Sequence, residues 1–449
     1  MAVFQIKKGR DLRLQGAADK KIVDIPLPKK VGIYPADFRG LKPQLLIKEG
    51  DPVKAGTPLF CDRAFPEIKI ASPVSGKVSA IHRGEKRALL DITIETDDKN
   101  DVVVFESFSK TEIPSLSKEK ITKLLLEGGL WPAIRQRPFS KIAHPADEPK
   151  AIFVQGMNTE PLAPDLDFIL ESKEDLFQTG LDILKRLTKG AVHVCISDKA
   201  QSKALTQAQG VQIHQFSGPH PAGNVSTHIH HVDPIHKGEV VWYVGAQDVL
   251  RIGFLFLNGV HLGKKVVAVT GESAKNRYYA STVMGTPLSA LLAGSTLEGA
   301  RCISGSVLTG KNVGEKGFLG FYDSQVTAIP EGGKREFLGW LSPGFNKYSF
   351  SKTFVSSFLP PKPASLDTDK NGSDRAIVFN HIYDDLVPLD ILTFFLLRAV
   401  ISGDIEEAEK LGILECDEED FALCSFACPS KTDVGGIIRQ GLDLIEKEG

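Results

Sequence analysis

The chain has no surplus of either charge: 54 Lys and Arg face 56 Asp and Glu, a formal net charge of −2. Nucleic acid and anionic lipid recruit proteins through a strong basic field, so nucleic acid is not an expected partner. Cysteine is scarce, with only Cys61, Cys195, Cys302, Cys416, Cys424 and Cys428 among 449 residues. Such thin spacing is unlike a disulfide-stapled secreted domain and fits a reducing compartment. Long hydrophobic runs are missing as well. The apolar stretches 249–262 and 387–401 are broken by Arg251 and by Asp390 and Arg398, short of the roughly 20 apolar residues that span a bilayer. No apolar segment of a secretory signal follows Lys7, Lys8 and Arg10, and tandem repeats and low-complexity tracts are absent.

What is present is an ordinary globular composition, 42% hydrophobic and 24% charged, long enough at roughly 100–200 residues per domain for two to four domains. Residues 1–100 read as short strands punctuated by Gly and Pro, a small all-β unit. The stretch 118–127 reads as a helix capped by Ser117 and stopped by Gly128-Gly129. Strand 151–154, helix 175–187 and strand 191–196 form a βαβ pattern that implies a parallel sheet, extended by strands 240–244 and 265–269 and helix 249–258. Residues 264–330 suggest a mixed unit with a hairpin and a short helix at 288–292. The Ser-, Pro- and Lys-rich stretch 351–374, with Pro360-Pro361-Lys362-Pro363, reads as a linker or surface loop. The segments 391–400, 405–410 and 434–447 read as helices, with stops at Gly403 and Gly412.

Several features bear on chemistry. The halves Gly50–Gly56 and Ala71–Val78 resemble those of a biotinyl/lipoyl-type sandwich, but Lys69, between Ile68 and Ile70, reads as an outward-facing strand residue rather than a modified carrier lysine. Six histidines, His214, His220, His228, His230, His231 and His236, fall within 23 residues. With His228 and His230 on a strand, two imidazoles would face one metal; the alternative is a turn-rich loop whose histidines bond to backbone. Cys424-Ser-Phe-Ala-Cys428-Pro429 reproduces the end of an iron–sulfur run, but Phe421 and Glu418 stand where two further thiolates would be needed, and Cys416 lies off the spacing. The loop Glu127-Gly128-Gly129-Leu130-Trp131-Pro132-Ala133-Ile134 lacks the later glycines of a phosphate cradle. Beyond it, Arg135 and Arg137 could hold an anion or an acidic partner, or simply be solvated. Ser304–Gly310 is a weaker glycine loop. The stretch 404–420 carries nine carboxylates against Lys410 and reads as a solvated face or a dock for a basic partner.

These motifs resemble, in order, one family. They are Asp11-Leu12, Arg83–Arg87, Gly129-Leu130-Trp131 with Arg137-Pro138-Phe139-Ser140-Lys141, Gly218–Gly223, Ile303–Gly310, Asn371–Arg375 and Leu423–Pro429. The family is NqrA, the A-type subunits of the sodium-translocating NADH:quinone reductase, itself similar to the C-type subunit of the Rnf complex and to the flavin-binding subunit of respiratory complex I. The resemblance implies a multidomain α/β plus β fold: a barrel-sandwich (biotinyl/lipoyl-like, unmodified) domain at 1–100, and a Rossmann-like α/β domain without its Gly-rich flavin loop at 101–262. A small β-grasp-like domain at 263–330 and a linker with a C-terminal helical domain at 331–449 complete it.

It also implies a peripheral subunit on the cytoplasmic face of a bacterial inner-membrane complex that passes electrons from NADH to ubiquinone and exports Na⁺. The complex uses FAD, FMN, riboflavin and iron centres, yet this chain is expected to bind none of them and to hold no catalytic, cofactor-binding or metal residue; for quinone, no motif locates a pocket, and no residue is named. Its expected partners are the other subunits, above all a membrane-embedded one, with ubiquinone as a candidate ligand. Assembly or docking, with a part in ubiquinone reduction, is the expected role; an autonomous NADH-oxidising flavoenzyme is the alternative.

Overall fold

A computed structural model describes residues 2–448 apart from 98, 293–295, 297, 334–336 and 361, and omits the side chain of Trp340. At its centre is a seven-stranded sheet in the order Ala2–Gln5, Gln212–Ser217, Ala191–Ser197, Ala151–Gly156, Val241–Gly245, Arg135–Arg137, Lys141–Ile142. The first five strands pair in parallel and the last two close one edge antiparallel. Successive residues of a strand face opposite sides, and the central strands are apolar on both. Ile152, Val154, Val194 and Trp242 pack with Leu181, Leu184, Val249 and Ile252 of helices Glu174–Lys185 and Ala246–Asn258. On the reverse, Phe153, Cys195, Phe216 and Tyr243 pack with Val225 and Ile229 of helix Val225–Val232. The expected βαβ unit is therefore present, with helices on both faces.

Two small antiparallel sheets pack face to face as the expected barrel-sandwich. One contains Lys30–Ile33, Leu89–Thr96, Gly76–Arg83 and Pro52–Val53; the other contains Pro43–Leu45, Pro58–Asp62 and Lys69–Ala71. Val31, Leu59, Phe60, Ile70, Ile92 and Ile94 fill the space between them. Ile68 and Ile70 are buried while Lys69 is half-exposed, as alternation requires. Strand Lys264–Thr270 does not extend the parallel sheet as the sequence pattern suggests. It forms the hairpin with Tyr278–Val283 and pairs with Gln325–Pro330 in a separate six-stranded sheet.

The N-terminal residues belong to neither layer of the sandwich. Ala2–Gln5 pairs with Gln212–Ser217, and Ile22–Asp24 pairs with Tyr278–Val283. Of the Pro-rich stretch, Ala364 bridges to Leu14 and a short 3-10 turn spans Val355–Phe358, while Pro361 lies outside the described residues. The C-terminal helices Thr393–Ser402, Ile405–Lys410 and Val434–Glu448 enclose a core of their own around Leu396, Leu397, Phe421, Ile438 and Leu442. Gly403 and Gly412 stop two of these segments in the left-handed region, at φ 74° and 91°. Among the described residues no helix is long and apolar enough to cross a membrane.

Helix Lys118–Glu127 starts at Ser117, whose side chain accepts from the Lys120 N–H, as read from the sequence. The glycines that follow serve packing. Gly129 has φ +66°, and a Cβ there would lie 2.4 Å from the Ala71 Cβ of the barrel-sandwich. Trp131 and Ile134 beyond it are fully buried, with Trp131 edge-on to Trp242 at 5.5 Å and its indole N–H donating to the Ala143 carbonyl at 2.7 Å. Gly129→Ala is therefore expected to destabilise the chain by about 1–3 kcal/mol, read as an earlier urea transition. An unchanged midpoint would show that the two units do not meet at this glycine.

Candidate functional site

Three of the motifs singled out in the sequence converge on one cleft of about 380 Å³ between strand Arg135–Arg137, the Ser304–Gly310 loop and the C-terminal helices. Its wall includes Arg39, Arg135, Ser140, Thr309, Tyr322 and Glu418. Behind the wall stands Arg137, 1% exposed, with guanidinium nitrogens 3.1 Å from the Asp417 carboxylate and 2.8 Å from Glu419. Asp417 also receives the Ser140 hydroxyl at 2.7 Å, Arg39 at 3.3 Å and Arg439 at 3.4 Å. Arg39 extends to Glu418 as well. The turn that presents these acids is closed by its own capping box, in which the Asp417 N–H donates to Asp420 and the Asp417 carboxylate accepts from the Asp420 N–H. Asn224 holds Asp420 from the α/β domain at 3.0 Å.

Two expectations from the sequence are corrected here. The acidic end of 404–420 is no solvated face, since Asp417 and Asp420 are buried, and Arg137 is not a surface cation. The basic partner of the acidic stretch is part of the same chain. Further pairs flank the core of this interface: His230 with Glu415 at 2.7 Å, Lys237 with Glu409 at 2.5 Å and Lys141 with Glu446 at 2.5 Å. Burial alone would raise Asp417, but the surrounding arginines, Arg137 foremost, hold it down at about 2. Glu419 goes the other way. Burial, reinforced by Asp417 and Asp420, pushes it up to about 7 against the pull of Arg137.

The Ser304–Gly310 loop is likewise tied internally, with Ser306 and Thr309 donating to Glu160 at 2.7 and 2.5 Å. The cysteines are free and buried. Cys428 sulfur lies 3.0 Å from the Tyr383 hydroxyl, and Cys416 donates to the Gly412 carbonyl at 3.5 Å. Glu418 and Phe421, at the two positions of the iron–sulfur spacing without cysteine, have other uses. Glu418 pairs with Arg39, and Phe421 is fully buried in the helical core.

The histidine segment is also corrected. Residues 225–232 form a helix, so His228 and His230, two apart, point about 200° from one another and do not face one metal. His228 packs against Phe216 at 4.5 Å, where burial pushes it down to about 3, while His231 bonds the Thr227 carbonyl at 2.9 Å. His214 instead meets His193 on the neighbouring strand at 2.9 Å, and burial with that neighbour lowers His193 to about 4. Among the described residues no group of three or more His, Cys, Asp or Glu is placed to hold a metal ion.

Arg39, Arg439, Tyr243, Tyr322 and Glu160 carry much of this site and stand in no motif. Arg39 and Asp417 are 378 residues apart, and a pairing at that separation leaves no mark in one sequence.

Removing one member of a buried ion pair strands the other charge. Asp417→Asn is therefore expected to cost about 3–5 kcal/mol, whereas Arg137→Met with Asp417→Leu together is expected to cost less than either change alone, measured by urea unfolding. A depressed carboxylate contributes stability at pH values above its unfolded pKa and loses it as the pH falls through the folded one. Stability is thus expected to fall between about pH 4 and pH 2, with a shallower fall in Asp417→Asn. Glu419, whose folded value is raised, acts in the opposite sense, so its deprotonation erodes stability as the pH climbs toward about 7; Glu419→Gln is expected to flatten that limb of a pH series of unfolding midpoints.

Comparison with known proteins bears on the whole chain. Three family models match it: the NqrA N-terminal barrel-sandwich hybrid domain over residues 4–97, the NqrA second alpha/beta domain over 116–261 and the NQRA C-terminal domain over 266–315. The A subunit of the Na(+)-translocating NADH-quinone reductase of Yersinia pseudotuberculosis serotype O:1b (strain IP 31758) is 42% identical over 451 residues, covering 100% of both chains. The protein of the same name from Neisseria meningitidis serogroup A is 41% identical over 449 residues, again covering 100% of both. A chain in the structure of an air-oxidised NAD⁺-reducing [NiFe]-hydrogenase shares 10% identity over 51% of this chain and 52% of its own, at a TM-score of 0.35, too slight a likeness to bear on fold or function. With identity above 40% from end to end in two genera, the chain belongs to the NqrA family, the A subunits of the Na⁺-translocating NADH-quinone reductase.

Proposed function

We propose that this chain works as an assembly and docking subunit of a Na⁺-translocating NADH-quinone reductase, peripheral on the cytoplasmic face and seated on a membrane-embedded subunit. Membership of the family supports the complex. The docking role is carried by one observation, the network of buried Arg137 and Asp417 with half-buried Glu419. Where the resembling redox subunits are expected to hold a flavin and a cluster, this chain uses Arg137, Ser140, Asp417 and Glu418 to join its own domains. Glu418 and Phe421 replace two thiolate positions, and Trp131 and Ile134 fill the loop with core side chains. In this reading FAD, FMN, riboflavin and the iron centres belong to other subunits. The chain's part in ubiquinone reduction is then to hold those subunits in register, a matter of positioning rather than of a bound redox centre.

The chain purified alone is expected to lack flavin absorption and stoichiometric iron, and to show no NADH-dependent dye reduction. Added to a complex prepared without it, it is expected to restore NADH-driven ubiquinone reduction. One flavin or iron centre per chain, or dye reduction by the chain alone, would overturn this reading in favour of an autonomous NADH-oxidising flavoenzyme.

A further inference from the structure

Arg135 and Arg137 alternate with Gln136 on one short strand and so project from the same face. Both guanidinium groups lie over the Tyr243 ring, at 4.5 and 5.2 Å. Their fates differ. Arg137 is buried and matched by Asp417 and Glu419, whereas Arg135 is half-buried and lines the cleft.

The Arg135 guanidinium also lies over the Tyr322 ring, 4.3 Å from its centroid. Neither ring can swing aside freely. Tyr243 is buried directly opposite Arg135 across the antiparallel pairing, and the Tyr322 hydroxyl is tethered to the Pro132 carbonyl at 2.7 Å. A long, rotamer-rich side chain is thereby fixed in place before any ligand arrives, which lowers the entropy cost of a later contact.

The edge of that guanidinium has no hydrogen-bond or ion-pair partner among the described residues, although it carries in-plane N–H donors. The surrounding acids do not lack cations. Asp417 has Arg137, Arg39 and Arg439; Glu418 has Arg39; Glu419 has Arg137; and Asp37 has Lys311 at 2.9 Å. Asp433 accepts from the Gly436 N–H at the start of the last helix, where the helix dipole favours a negative charge. Arg135 feels the charge of Glu419, but among the described residues it lines the cleft without an ion pair of its own.

Two tyrosine rings thus crowd the guanidinium, at 4.5 and 4.3 Å. Its in-plane donors are unpaired among the described residues, and a planar fork of donors matches a carboxylate or phosphate end-on. A volume of about 380 Å³ suits a small molecule rather than a polymer segment. We propose that this cleft binds a small organic anion, a carboxylate or a phosphate ester, whose anionic group is held by the edge of the Arg135 guanidinium.

The test is calorimetric titration of the full chain at low ionic strength with two probes, inorganic phosphate and acetate. One saturable site for either probe is expected. Saturation by phosphate alone identifies a phosphate ester as the ligand class, and saturation by acetate alone identifies a carboxylate. Arg135→Lys, which keeps the charge and loses the planar fork, is expected to bind at least about tenfold more weakly, and Arg135→Gln to lose the site. Arg63→Gln, on the exposed surface, is expected to bind as the unaltered chain does. No saturable binding of either probe would overturn the proposal, as would unchanged affinity in Arg135→Lys. Should Arg135→Gln fail to fold, the Arg135→Lys titration decides.

Discussion

The contact on which the rest of this structure depends is the buried pairing of Arg137 with Asp417. Taking both charges out of water is costly, and their attraction offsets that cost only where geometry and further hydrogen bonds are good. Here Glu419, Ser140, Arg39 and Arg439 complete the arrangement. Such a network adds little net stability over an apolar interface of equal size, and its charges are matched in the arrangement seen here. It fixes where the C-terminal helices sit on the antiparallel edge of the central sheet, and it thereby shapes the cleft in front of it.

Around that contact, the glycine-loop and cysteine-run positions serve packing. Trp131 stacks edge-on against Trp242, Phe421 is in the helical core, and the sulfur of Cys428 meets a tyrosine hydroxyl. Each of these side chains has a partner: the large rings fill volume, Cys428 meets Tyr383 and Glu418 pairs with Arg39. Arg135 is the exception, crowded by its two tyrosines and without a hydrogen bond or ion pair among the described residues.

Much of the fold is legible in the sequence. The helices at Lys118–Glu127, Ile405–Lys410 and Val434–Glu448 follow from amphipathic period, a Ser cap and left-handed glycine stops. The βαβ unit follows from apolar strands flanking an apolar-faced helix. The histidine segment misleads because His228 and His230 invite a period of two, whereas the buried Val225 and Ile229, four apart, mark a helix. Strand Lys264–Thr270 sits in a different sheet from the one its pattern suggests, since an apolar run specifies a buried strand but not its neighbours. The site is less legible still. Charged residues are solvated by default in a sequence reading, and nothing local to Arg137 or to Asp417 reveals that each is the other's partner.

The pairing of residues 2–24 has a consequence for the order in which the molecule is made. Ala2–Gln5 finds its neighbour only at Gln212–Ser217, and Ile22–Asp24 only at Tyr278–Val283. During synthesis these two strands leave the ribosome and remain without partners while more than two hundred residues are added. The barrel-sandwich between Lys30 and Thr96 therefore completes its sheets long before the segment that precedes it is anchored. Strands made early are thus among the last to join the native structure, a window of exposure that favours chaperone engagement or prompt completion of translation.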